Sequence, residues 1–86
     1  MRSTTADPFW DLFRKLPGDV RKQAYKAFRQ FEQDPFHPSL QFKESKRHPG
    51  LWSARVSAGY RVLGIRKGDE ITWVWIGSHR EYDKRF

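Results

Sequence analysis

Residues 51 to 77 read LWSARVSAGYRVLGIRKGDEITWVWIG, and this run decides the fold. Three segments within it are rich in β-branched and aromatic residues: Leu51 to Ser57, Tyr60 to Arg66 and Glu70 to Gly77. Ala58-Gly59 and Lys67-Gly68-Asp69 supply turn residues between them. The run therefore predicts an antiparallel meander. Strand alternation sets Trp52, Ala54 and Val56 on one face and Ser53 and Arg55 on the other, so Arg55 needs a polar destination. Trp73 and Trp75 alternate onto a common face, and core packing claims at least one of them. Arg61 has two registers open to it. A two-residue turn at Ala58-Gly59 pairs it with Val56 on the helix side, whereas a bulge or longer loop reverses its facing.

Upstream of this run the period changes from two to three and four. Asp7-Pro8 offers an N-cap and a first-turn proline, followed by Phe9, Leu12, Phe13 and Leu16 at helical spacing, and Pro17-Gly18 ends the segment. Asp19 then opens a longer helix with Val20, Ala24, Ala27, Phe28 and Phe31 on one face and Arg21, Lys22, Lys26 and Arg29 towards the other, stopping before Asp34-Pro35. So short a connection predicts an antiparallel helix hairpin. Pro35 to Gly50 reads as a basic loop anchored by Leu40 and Phe42, with room for a short extended piece. Ser78 to Phe86 reads as a frayed turn or a short helix laid across the sheet end. Met1 to Asp7, with Asp7 followed by Pro8, reads poorly as strand. The fold class is thus α+β: an N-terminal antiparallel helix hairpin on a three-stranded antiparallel sheet, or a four-stranded one if an opening strand forms.

The chain's 86 residues suffice for one compact domain, residues 1–86, and seven Phe, four Trp and three Tyr give it an apolar load that opposes disorder despite a mean hydropathy of -0.88. With no Cys there is neither a disulfide framework nor a thiolate ligand, and the three His are scattered at 37, 48 and 79, so no metal or other cofactor is expected. No run approaches the roughly 18 apolar residues of a spanning helix, and Met1 to Asp7 lacks the apolar core of a secretory signal, which predicts a soluble, cytoplasmic protein without membrane contact. The formal charge is +7. Between Lys43 and Lys67 seven basic residues face one acid, Glu44, for a local +6, which favours a polyanionic partner such as nucleic acid or an acidic protein.

Arg55 and Arg61 lie on adjacent strands near one hairpin, within reach of a shared phosphate that guanidinium groups grip in a bidentate fork. Covering the sheet surface, or pairing with Glu70 or Glu81, is an equally open role for them. His79 follows the last strand after Gly77-Ser78, where an imidazole can take or give a proton near neutral pH, or can simply be a surface residue. Tyr82 can stack on a base or offer its hydroxyl, with Tyr60 and Trp52 as alternative platforms. Lys43, Lys46 and Arg47 form either a solvated charge run or a phosphate-tracking edge. His37 and His48, beside prolines, read as turn or surface residues. No phosphate-cradling glycine loop, nucleophile elbow or helix-turn-helix pattern occurs, which removes most enzyme classes.

Leu51-Trp52-Ser53-Ala54-Arg55-Val56, then Gly59-Tyr60-Arg61-Val62-Leu63, then Trp73-Val74-Trp75-Ile76-Gly77-Ser78-His79 with Tyr82-Asp83, resembles the RelE/ParE superfamily of bacterial toxins. The likeness spans nearly the whole chain, and the closing Gly-Ser-His-x-x-Tyr-Asp is its most specific piece. The resemblance implies the toxin of a type II toxin-antitoxin module. In the RelE branch the activity is a metal-independent endoribonuclease cutting mRNA on the ribosome through attack of a 2′-hydroxyl on the adjacent phosphate. Carried over by position, Arg55 and Arg61 would hold the scissile phosphate, His79 would act as general base or acid, and Tyr82 would orient the nucleotide. Lys43, Lys46 and Arg47 would grip RNA backbone. The implied partners are mRNA, the ribosome and an acidic antitoxin encoded nearby, in a toxin-antitoxin hetero-oligomer. The ParE branch implies instead a DNA gyrase inhibitor acting by binding, and a non-toxic relative binding RNA or protein is the third alternative.

Overall fold

The computed structural model describes all 86 residues. The elements run β1 (Arg2–Thr5), α1 (Asp7–Arg14), α2 (Gly18–Gln33), a 3-10 turn (Pro38–Leu40), β2 (Lys43–Glu44), β3 (Leu51–Ser57), β4 (Tyr60–Lys67), β5 (Glu70–Ser78) and α3 (His79–Arg85). The strands form one five-stranded mixed sheet in the order β1-β5-β4-β3-β2. The meander of β3, β4 and β5 is antiparallel, and β2 pairs antiparallel with β3 through Lys43 with Ser53 and Glu44 with Trp52.

The expected sheet of three or four antiparallel strands is therefore corrected to five, one of them parallel. Arg2 to Thr5 pairs in parallel with Glu70 to Trp73. All four residues of β1 are exposed, so no apolar alternation marks the strand in the sequence. Its register is held instead by the backbone ladder, by the Arg2 guanidinium 2.9 Å from Glu70, and by the Thr4 and Thr72 hydroxyls at 3.2 Å. Asp7 and Pro8, which weakened the strand reading, belong to the first turn of α1, where a missing N–H costs nothing. The helix pair is thus preceded by a strand.

Both helices cover one face of the sheet, α1 against β5 and α2 against β3. Phe9 and Phe13 of α1 and Val20, Ala24 and Phe31 of α2 are buried there with Ala54, Val56, Val62, Ile71 and Ile76. Trp73 is the centre, its ring 5.3 Å from that of Phe31 and 6.3 Å from those of Phe28 and Phe42. Gly64 permits this packing, because a Cβ there would stand 2.7 Å from Ile71 and 2.8 Å from Trp73.

Trp75 does not share that face. Leu63 pairs with Trp75 and Gly64 with Trp73, so Val74 is an extra residue in β5 and reverses the alternation. Trp75 and Leu63 are buried on the opposite face, where the C-terminal Phe86 packs edge-on against Trp75 at 5.5 Å. The tail is the short helix α3, capped by the Ser78 hydroxyl accepting from the Glu81 N–H at 3.1 Å.

Candidate functional site on the sheet face beneath the C-terminal helix

The meander hairpin decides how its two arginines meet. Arg55 pairs with Arg61 and Ser57 with Tyr60, which leaves Val56 as a bulge. The bulge puts Arg61 on the face opposite the helix pair, in cross-strand register with Arg55, and keeps Val56 in the core. Glu70 is engaged by Arg2, and neither Arg55 nor Arg61 forms an ion pair. The carboxylate pairing that the sequence left open for them is absent.

Arg61 is only 7% exposed. Its Nη2 donates to the Ser53 hydroxyl at 3.1 Å, and its Nε is buried with no partner. A buried guanidinium without a counter-charge is costly, and an anion entering the site would offset that cost. The Tyr82 ring of α3 lies over it, 5.5 Å from Cζ. Gly77 is the cross-strand partner of Arg61 in β5, and the Trp75 ring lies across it so closely that a Cβ at 77 would stand 2.6 Å from the indole. A side chain at 77 would displace the Trp75 ring.

His79 is the first residue of α3, its N–H donating to the Gly59 carbonyl at 2.8 Å, which ties the helix start to the β3–β4 turn. Its ring is half-exposed and 5.9 Å from the Tyr82 ring. Nε2 stands 3.3 Å from Asp83, one turn on, while Nδ1 makes no hydrogen bond. His79 thus joins Arg61 through the Tyr82 ring that both approach. Lys43, Lys46 and Arg47 line a concavity of about 250 Å³ together with Ser53, Tyr82 and Phe86, so the basic loop reaches the same face from the β2 side. Arg55 lies to one side: it borders a separate groove against α2.

Two residues that the sequence did not single out belong to this site. Ser53 is buried and orients Arg61, and Phe86 closes the concavity beside Tyr82. The facing of Ser53 was legible from alternation; the placement of Phe86 depends on α3. Trp52 and Tyr60, the alternative stacking platforms, pack against the helix-side core instead. His37 binds Ser39 in the 3-10 turn and His48 donates its N–H to Ser45 in the loop, as their proline-flanked positions predicted.

The similarity of this chain to known proteins lies in its fold. Solved structures match it nearly end to end. A chain of the RelB-RelE antitoxin-toxin complex from Methanococcus jannaschii superimposes with a TM-score of 0.78 at 18% identity, covering 96% of this chain and 98% of that one. The YoeB/ParE toxin from Agrobacterium tumefaciens gives 0.69 at 16% identity over 92% and 99%. The isolated E. coli RelE toxin gives 0.66 at 18% identity over 98% and 96%. No curated protein sequence matches the chain. The family model of the ParE-like toxin domain matches residues 18–84, from the start of α2 through nearly all of α3. With that match covering most of the chain, the chain belongs to the ParE-like toxin domain family within the RelE/ParE superfamily.

Proposed function

We propose that this protein is the toxin of a type II toxin-antitoxin module and a metal-independent endoribonuclease that cuts mRNA at the ribosome, in the cytoplasm. The observation that carries this reading is Arg61: a guanidinium 7% exposed, hydrogen-bonded once, with no carboxylate partner and an aromatic ring over it. A fold does not retain such a charge for stability, and a phosphate is the ligand whose geometry it fits.

In this reading Arg55 and Arg61 hold the scissile phosphate and the negative charge that builds on it as the 2′-oxygen attacks. The new 2′-O–P bond displaces the 5′-oxygen, leaving a 2′,3′-cyclic phosphate and a 5′-hydroxyl. His79, half-exposed at the site rim, takes the 2′-hydroxyl proton as general base or supplies the leaving oxygen's proton as general acid. Tyr82, whose ring neighbours both His79 and Arg61, orients the nucleotide. Lys43, Lys46 and Arg47 hold the RNA backbone along their shared concavity. An acidic antitoxin would cover this same cationic face, and +7 on 86 residues supports such a partner.

Inducing the chain without a partner and following reporter mRNA on ribosomes tests the activity. Cleavage should appear with the wild-type chain and fall roughly 100-fold or more in His79→Ala and Arg61→Ala, with antitoxin binding retained in His79→Ala. Intact message in the presence of folded wild-type protein would reject the nuclease assignment. The match to a ParE-like family model supports a second reading, inhibition of DNA gyrase by binding alone. Supercoiling by purified gyrase separates the two: inhibition by both wild type and His79→Ala would establish the binding mechanism.

A further inference from the structure

β2 covers only Trp52 and Ser53 of its neighbour, so from Ala54 to Ser57 strand β3 has β4 on one side and no strand on the other. Between that open edge and α2 runs a groove of about 420 Å³. Its α2 wall is the stripe Gln23, Lys26, Ala27 and Gln30, spaced so that all four stand on one helix face. Val56 and Leu40 form an apolar floor, and Ser57 and Arg55 close the β3 side. No carboxylate lines the groove, and neither Lys26 nor Arg55 is ion-paired.

Arg55 links this groove to the site beneath α3, because it is at once the cross-strand partner of Arg61 and a residue of the groove wall. We infer that the groove carries the RNA strand onward from the scissile phosphate at Arg55 and Arg61, with Lys26 on the following phosphates and the Gln23 and Gln30 amides on its sugars and bases; this rests on the nuclease reading above. An acidic peptide added to the open β3 edge is the competing occupant, since unpaired strand edges accept strands. The lining favours RNA. Strand addition satisfies the backbone of β3 and leaves the amide and ammonium groups of the α2 stripe unused, whereas a sugar-phosphate chain with 2′-hydroxyls engages both walls.

The test is equilibrium binding by fluorescence anisotropy of the full chain to two uncleavable RNAs. One is a dinucleotide with 2′-deoxy at the attacking sugar; the other is the same step within a strand of about eight nucleotides. Lys26→Ala should weaken the long strand roughly threefold to tenfold at low salt and reduce the slope of log K against log salt by about 0.7, with no change for the dinucleotide. Arg61→Ala should weaken both. If Arg61→Ala weakens both RNAs while Lys26→Ala weakens neither, or weakens both equally, the groove is not an RNA path and the nuclease reading stands. If neither RNA binds wild type, the nuclease reading and this inference fall together. Loss of polyglutamate binding in Lys26→Ala, with long-strand affinity unchanged, would overturn the inference in favour of an acidic protein segment. Lys26 is exposed, so an unchanged thermal melt should accompany each outcome.

Discussion

Arg61 brings the residue scale to a point, because its environment serves binding and opposes folding. It is buried, donates one hydrogen bond to Ser53 and leaves Nε without an acceptor. Replacing a buried charge with an apolar side chain of similar length commonly stabilises a protein. Arg61→Met should therefore leave stability unchanged or raise it by about 1 kcal/mol or more, while abolishing RNA cleavage. Urea denaturation and the ribosome assay on the same preparation check this. A large loss of stability would mean that the guanidinium is a structural group whose contacts the fold needs.

Among the elements, α3 carries the most function for the least packing. None of its residues is buried, yet it brings Tyr82 over Arg61, holds His79 at the site rim and leads to Phe86 over Trp75. Ending the chain after Ser78 should leave the helix-side core and far-ultraviolet dichroism largely intact. It should uncover Trp75, seen as a red shift in tryptophan emission, and remove cleavage. A truncated chain that fails to fold would show that α3 holds the sheet together. This scale also divides what the sequence made legible from what it hid. The two helices, the β3–β4–β5 meander and the cluster of basic residues follow from period and composition, because each buries a patterned face. The facings of Arg61 and Trp75 do not, because each turns on one inserted residue, Val56 or Val74, and a bulge leaves composition unchanged. β1 and β2 stood only as open alternatives for another reason: their six residues are all exposed and are held by backbone pairing rather than by an apolar face.

At the scale of the molecule, the two faces of the sheet are divided by chemistry. One is sealed by α1 and α2 over an aromatic core; the other presents Arg61 and Tyr82, with the basic loop alongside. If RNA meets Lys43, Lys46, Arg47, Arg55 and Arg61 together, log K should fall with log salt at a slope of about -3.5. Titrations of an uncleavable RNA over a range of potassium concentrations measure it. A flat response would show that stacking, not phosphate contact, dominates binding.

The parallel pairing of β1 with β5 has a temporal side as well. The first strand's partners, Glu70 to Trp73, lie 68 residues further along the chain, and helices and meander must all be made before that ladder can close. During synthesis the opening segment waits unpaired while the rest emerges, and His79 and Tyr82 leave the ribosomal tunnel later still. The β1 edge is therefore the last part of the sheet that can form, and its closure belongs to the slow, non-local stage of folding.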